Sequence, residues 1–251
     1  METQTLVILC LLFFCAAAVY SMVGFGGASA YLAVLAFSGL PRDQIAPIAL
    51  MCNLLVAGIA AGAFIHERHL RPSLVLPFMV LSVPCAYWGA RTPISDRIFS
   101  LLLGISLAVA ASRIFLSGHG SRTMTAHSRV RVWVLGMPAG AIIGYVSGLI
   151  GIGGGIFLSP LLILLRWADP KVAGCSAALF IVVNSLAGLA GYVARPMGAS
   201  PVVYASLAVA VGLGGWFGSR TGAGPARRIQ IARLLAVLML TVAARTLWRV
   251  L

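Results

Sequence analysis

The chain has 251 residues, of which 61% are hydrophobic and only 9% are charged, and its mean hydropathy is +1.03. These values exclude an ordinary soluble domain and indicate a polytopic membrane protein. The net charge of +13 would suit a nucleic-acid-binding protein, but the basic residues are scattered between apolar segments and form no single patch. They are better explained as loop charges at membrane surfaces that face anionic lipid, so no nucleic-acid partner is expected.

The apolar segments predict an all-α membrane protein with roughly eight spans arranged in two halves. The first half, residues 1–117, is expected to span the membrane at residues 5–23, 45–65, 74–90 and 98–116. A polar, basic linker is predicted at residues 118–131. The second half, residues 132–251, is expected to span at residues 132–147, 172–193, 201–218 and 231–250.

Glycine clusters interrupt one long apolar run in each half, so a broken or re-entrant helix is expected there. The run at residues 130–165 has 36 residues, whereas a bilayer core needs only about 20 helical residues. Its cluster is Gly148-Leu-Ile-Gly151-Ile-Gly153-Gly154-Gly155-Ile-Phe-Leu-Ser-Pro160. The first half has Gly24-Phe-Gly26-Gly27-Ala28-Ser29 inside the run at residues 5–40.

A helix that restarts after such a break directs free N–H groups and the positive end of its dipole at whatever precedes it. Transporters with discontinuous helices use this arrangement to hold an anion near the middle of the membrane. The simpler alternative is that these glycines only permit close helix packing or a loop.

The two halves also resemble each other in sequence, with corresponding segments in the same order. Corresponding pairs are Gly24-Phe-Gly26-Gly27 with Gly151-Ile-Gly153-Gly154, Pro41-Arg42 with Pro170-Lys171, Asn53 with the region of Asn184, and Tyr87 to Thr92 with Trp216 to Thr221. A duplicated bundle with broken helices in corresponding positions indicates a transport path between the halves. Four crossings in each half would make the repeats parallel, and an odd number would make them inverted.

The orientation in the membrane cannot be assigned from an eight-span topology. When the spans alternate sides, the 18 basic residues divide nine against nine, and the positive-inside rule favours neither side. This even division suggests that a simple count of eight crossings is wrong.

The glycine cluster at residues 148–160 resembles the glycine motif of the sulfite exporter TauE/SafE family of membrane transporters. The Asp169-Pro-Lys171 turn, the Asn184-Ser-Leu-Ala-Gly-Leu-Ala-Gly191 segment and the Gly218-Ser-Arg220 end are also similar to that family. In the first half, Ala28 stands where a third glycine would be expected, and no proline follows at the spacing of Pro160. The resemblance implies a duplicated bundle in the cytoplasmic (inner) membrane that transports sulfite, thiosulfate or a sulfonate.

The residues expected to bind the anion lie at the two breaks and in the spans beside them. Backbone N–H groups are expected from Gly26, Gly27, Gly153, Gly154 and Gly155, and side-chain hydrogen bonds from Ser29, Asn53, Asn184 and Ser185. Polar side chains within spans also serve simply as ties between helices. Arg91 and Arg220 end corresponding spans, as gate or anion-attracting residues or as anchors that reach the headgroups.

Two rival functions remain, and each makes a demand on the sequence. A cation or metabolite carrier would need carboxylates within the spans, but none of the five acidic residues lies in the middle of an apolar run. A membrane enzyme would need a clustered acid–base or metal set, for which His66-Glu67-Arg68-His69 is the only candidate. No metal, cofactor or catalytic residue is expected. The expected partners are a small anionic solute and membrane lipids, with a homodimer left open.

Overall fold

In the computed structural model, the described parts of the chain are residues 3–23, 26–38, 40, 42–116, 128–193 and 200–220, with isolated residues between 237 and 248. These parts contain only helices and turns, which confirms the all-α class. The helices are α1 (Thr3–Val23), α2 (Ala28–Phe37), α3 (Arg42–His66), α4 (Pro72–Arg91), α5 (Asp96–Leu116), α6 (Arg129–Ile150), α7 (Gly155–Leu164), α8 (Pro170–Val193) and α9 (Pro201–Arg220).

Six of the described helices are long and apolar enough to cross a membrane, namely α1, α3, α4, α6, α8 and α9. The helices α2 and α7 have only ten residues each, and each directly follows a glycine break. The structure therefore supports a multi-pass helical bundle, but not the expected count of eight spans. The span predicted at residues 231–250 and most of the predicted linker lie outside the described residues.

Glycines hold α6 tightly against α4. Gly136, Gly140, Gly144 and Gly148 recur every fourth residue, and all four are buried on one side of α6. A Cβ atom at Gly140, Gly144 or Gly148 would overlap a carbonyl oxygen of α4, in turn that of Phe78, Ser82 and Ala86. Small residues at this spacing allow two backbones to touch. These four glycines, which we call the glycine ridge of α6, therefore serve close helix packing.

These contacts also give the directions of the helices. Residue numbers rise together along α4 and α6, so these two helices are parallel. The helices α1 and α9 are parallel as well, because Gly214 packs on the carbonyl of Phe14 and Gly218 packs on that of Ala18. In contrast, α3 and α8 are antiparallel, since Gly188 contacts Leu50 whereas Gly174 contacts Phe64.

Each short helix returns the chain to the side from which the preceding long helix came. The chain after α7 returns to the first part of α6, because the ring of Trp167 lies 6.4 Å from that of Phe78 in α4, and Gly136 and Gly140 of α6 pack on Phe78. In the first half, the rings of Phe13 in α1 and Tyr31 in α2 stack with centroids 4.7 Å apart. Thus α1 with α2, and α6 with α7, form two helical hairpins whose tips lie at the glycine breaks.

The bundle therefore has two ends, which we name by the helix that begins there. The α3 end contains the starts of α1 and α3 and the junction between α4 and α5. The α4 end contains the starts of α4, α6 and α8 and the end of α9. Helix α5 has 21 residues, about 31 Å, and runs from the α3 end back across the bundle.

Candidate functional site

Both glycine breaks end in a helix that starts behind a glycine with left-handed backbone geometry. Gly27 precedes α2 with φ 84°, and Gly154 precedes α7 with φ 79°, a conformation that favours glycine. No side chain caps either helix. In α2, the first amide that donates back to the carbonyl of Gly27 is that of Ala30. In α7, the first amide that donates back to the carbonyl of Gly154 is that of Phe157. The amides before them project from the helix starts, where a positive partial charge accumulates.

Asn53 of α3 contacts both breaks at once. Its Nδ2 donates to the carbonyl of Ile152 at 3.3 Å, and Gly153 packs so closely on Nδ2 that a Cβ atom would overlap it. Its Oδ1 lies against Gly26, where a Cβ atom would also overlap. A carbonyl can only accept, so the bond to Ile152 fixes which way the amide faces. Asn53 is fully buried and is the twelfth of 25 residues in α3, so the breaks meet deep in the bundle.

The two candidates in α8 are both buried but differ in their hydrogen bonds. Asn184 donates from Nδ2 to the carbonyl of Phe180 at 2.9 Å, and its Oδ1 accepts from the hydroxyl of Ser82 in α4. The Oγ of Ser185 is completely buried without a hydrogen-bond partner, 3.1 Å from the position a Cβ atom would take at Gly153. Asn184 therefore ties α8 to α4, whereas Ser185 has an unused hydroxyl at the second break.

The first break carries aromatic hydroxyls that the sequence did not single out. Ser29, the second residue of α2, is buried and its Oγ lies 2.9 Å from the hydroxyl of Tyr20. Tyr31 is fully buried, and its hydroxyl oxygen has no hydrogen-bond partner. Both tyrosines fall in continuous apolar runs, where an aromatic residue normally indicates core packing. Only the return of α2 beside α1 brings their hydroxyls to the break.

The carbonyl end of α6, at the second break, is well supplied with donors. The amides of Gly151 and Ile152 both donate to the carbonyl of Ser147, at 2.8 and 3.2 Å. The hydroxyl of Tyr192 donates to the carbonyls of Gly148 and Leu149, at 3.0 and 3.2 Å. Since the carbonyl end of α6 is satisfied in this way and the start of α7 lacks a side-chain cap, the second break has a net positive character.

The two arginine candidates lie at the ends of α4 and α9. Arg91 is exposed, and its Nη1 donates to the hydroxyl of Tyr87 at 2.7 Å while the guanidinium lies 5.5 Å from the centre of that ring. It is nine residues, about 13 Å, beyond Ser82 along α4. Arg220 is the last residue of α9, and its side chain lies outside the described residues.

The candidate enzyme cluster lies at the α4 end of the bundle. Nε2 of His69 is 3.2 Å from a carboxylate oxygen of Glu67, whose side chain is 60% exposed. His66 is exposed as well. Within the described ranges, no three histidine, cysteine or acidic side chains come together in a way that could hold a metal ion.

Known proteins provide an independent comparison. The family model described as Sulfite exporter TauE/SafE matches residues 9–246. The probable membrane transporter protein y4hK of Sinorhizobium fredii is 30% identical over 241 residues, covering 96% of this chain and 97% of that protein. The probable membrane transporter protein YunE of Bacillus subtilis is 25% identical over 260 residues, covering 94% and 93%. No solved structure matches the chain.

These matches extend across both glycine breaks and nearly the whole sequence, and they confirm the resemblance first noted at residues 148–160. With its multi-pass helical bundle, the chain belongs to the sulfite exporter TauE/SafE family of membrane transporters.

Proposed function

We propose that this protein carries a small anion, either sulfite, thiosulfate or an organosulfonate, across the cytoplasmic membrane. One observation carries the proposal: two helices begin inside the bundle without side-chain caps, and the breaks before them meet at Asn53. The proposed contacts are the amides and polar side chains of Gly26, Gly27, Ser29, Asn53, Gly153, Gly154, Gly155, Asn184 and Ser185.

The charge of the buried residues supports an anionic solute. The buried polar residues among those described are serines and asparagines, without a carboxylate or a basic side chain. A cation in this region would meet the positive ends of α2 and α7 without a countercharge. An anion would instead be stabilised by both helix starts and by neutral donors, as in transporters with discontinuous helices.

The packing supports inverted repeats as the basis of the transport path. The helices α4 and α6 form one parallel pair between the halves, and α9 and α1, which correspond to them in sequence, form a second parallel pair. In the first pair α4 comes from the first half, and in the second pair its counterpart α9 comes from the second half. Counting each hairpin as an outward and a return segment gives five segments in the first half, α1 to α5. An odd number reverses the second half relative to the first, so alternating access would arise from movement of one half against the other.

A membrane-embedded enzyme is the weaker alternative. Its only candidate cluster, His66-Glu67-Arg68-His69, lies at an exposed helix end rather than at the breaks. A carrier of another small organic anion would use the same site, so only measurement of the solute separates it from a carrier of sulfur oxyanions.

The decisive experiment is uptake into liposomes that contain the purified protein. Sulfite, thiosulfate, a sulfonate and a monovalent cation would be compared, with Gly154→Leu as the test variant. We expect transport of at least one sulfur oxyanion by the wild type and none by Gly154→Leu, because a side chain there meets the ring of Phe180, with its Cβ 2.7 Å from Cε1. Transport of the cation alone, or equal transport by the variant, would refute the proposal.

A further inference from the structure

Tyr31 has a buried hydroxyl that the fold itself does not use. The side chain is 0% exposed, its ring stacks on Phe13, and the hydroxyl oxygen has no hydrogen-bond partner. An unpaired buried hydroxyl destabilises a folded protein, so its presence calls for an explanation.

The hydroxyl lies at the uncapped start of α2. Long side chains on a helix point back toward its N-terminus, and Tyr31 reaches back four residues to Gly27. Its hydroxyl oxygen is 2.9 Å from the position that a Cβ atom would take at Gly27. The absence of a side chain at Gly27 thus leaves the phenol beside the first-turn amides of α2.

We propose that Tyr31 is a substrate-binding residue, whose hydroxyl donates a hydrogen bond to an oxygen of the transported oxyanion at the first break. This inference rests on the proposed transport function. The amides of α2 and the phenol would then approach one anionic group from the same side. The second break offers the aliphatic hydroxyl of Ser185 and the hydrocarbon of Ile143, Phe180 and Ile181 instead, so the two halves of the site are chemically different.

The test is Tyr31→Phe, which removes the hydroxyl but keeps the ring that stacks on Phe13. Binding of sulfite, thiosulfate and a sulfonate to purified protein would be measured together with the melting temperature of the empty protein. We expect binding about 10- to 100-fold weaker, the usual effect of losing a hydrogen bond to a charged group. The melting temperature should stay the same or rise, because the lost hydroxyl had no partner.

Tyr20→Phe is the matched control, since its hydroxyl already lies 2.9 Å from Ser29. This variant should lower the melting temperature. If Tyr31→Phe lowers the melting temperature and binds normally, its role is structural and the inference is wrong. If the wild type binds none of the anions, the proposed function fails as well, whereas normal binding by Tyr31→Phe alone overturns only the role of Tyr31.

A second, independent inference concerns orientation. Among the described residues, the α4 end carries eight basic residues: Arg68, Arg71, Arg113, Arg129, Arg131, Arg166, Lys171 and Arg220. The α3 end carries three: Arg42, Arg91 and Arg97. The even division obtained from eight alternating spans disappears because the return of α7 places Arg166 and Lys171, and after α8 and α9 also Arg220, on the same side as Arg68 and Arg71.

Short cytoplasmic loops of membrane proteins carry the excess of basic residues. We infer that the α4 end faces the cytoplasm and its anionic lipid surface, while the α3 end faces outward. Ser73 near the α4 end and Ser95 at the α3 end are both exposed and allow a matched comparison.

Each serine would be replaced by cysteine in a chain without its five native cysteines, and cells would be treated with a membrane-impermeant maleimide. Ser95→Cys should react in intact cells, and Ser73→Cys should react only after permeabilisation. The reverse pattern, or labelling of both sites in intact cells, would overturn the orientation whatever the protein transports.

Discussion

Glycines at the breaks and glycines elsewhere in the bundle differ in the space around them. Gly153 has φ 75°, and a Cβ atom there would overlap Nδ2 of Asn53. Gly212, within α9, has no neighbouring atom within 4 Å of the same position. This contrast provides a test in which identical substitutions have opposite expected results.

Gly153→Ala should abolish anion transport while the protein still inserts into the membrane. The added methyl group displaces the amide that joins the two breaks, and the left-handed backbone costs a further 1–2 kcal/mol or so for an L side chain. Gly212→Ala should retain full transport, with a change in stability within about 1 kcal/mol. Liposome uptake and melting temperature would be measured for both, and normal transport by Gly153→Ala would contradict the assigned site.

Asn184 and Ser185 are adjacent candidates that should respond differently to truncation. Asn184→Ala removes the partner of the buried Ser82 hydroxyl, so it should destabilise the protein by about 1–3 kcal/mol. Ser185→Ala removes a hydroxyl without a partner, so it should leave stability unchanged but weaken anion binding. Thermal unfolding and binding would be measured in parallel, and a stable Asn184→Ala variant would show that the tie to α4 matters little.

The sequence identified the breaks, because a 36-residue apolar run with clustered glycines cannot form one spanning helix. The sequence also placed Asn53 and Asn184 at corresponding positions, but their side chains make different contacts. Asn53 joins the two breaks, whereas Asn184 is hydrogen-bonded to Phe180 and Ser82. The role of Tyr31 was not accessible either, since its residue type and spacing are those of a core aromatic. Such distinctions depend on which neighbours a side chain meets.

At the scale of elements, the α4–α6 pair is held by backbone contact rather than by interdigitated side chains. Membrane helices associate through close packing, because lipid removes the hydrophobic drive that water provides. The carbonyl of Ser82 lies against Gly144, in the centre of the ridge. The spacing of four residues between these glycines is visible in the sequence, but it does not indicate which helix lies against them.

Gly144→Leu should separate α4 from α6 and destabilise the protein by about 1–3 kcal/mol or more, the cost of overpacking. The control is Gly62→Leu, because Gly62 is exposed on α3 and nothing lies within 4 Å of its Cβ position. Melting temperatures in one detergent would be compared. Equal values for the two variants would mean that close approach of α4 and α6 is not needed for stability.

At the scale of the whole molecule, the hairpins decide the topology. Alternating sides along the sequence treated residues 24–40 and 151–165 as continuations of one crossing, and this placed Arg166 and Lys171 at the wrong end. Hydropathy cannot distinguish a broken crossing from a crossing followed by a return, because both are continuous apolar runs. The packing of Trp167 on Phe78, beside the first part of α6, makes the distinction, and it does so through contacts that no local pattern encodes.

If one half moves against the other, a covalent link between them should stop transport. Val56 of α3 and Gly215 of α9 belong to different halves, and the methyl groups of Val56 lie 3.6 and 3.8 Å from the Cβ position of Gly215. A Cβ atom at Gly215 meets only ordinary contacts, so Val56→Cys with Gly215→Cys should form a disulfide without distorting the bundle. In a chain lacking its native cysteines, oxidation should abolish uptake, reduction should restore it, and each single variant should be unaffected. Full uptake by the oxidised protein would mean that α3 and α9 move together, and that the moving bodies are not the two sequence halves.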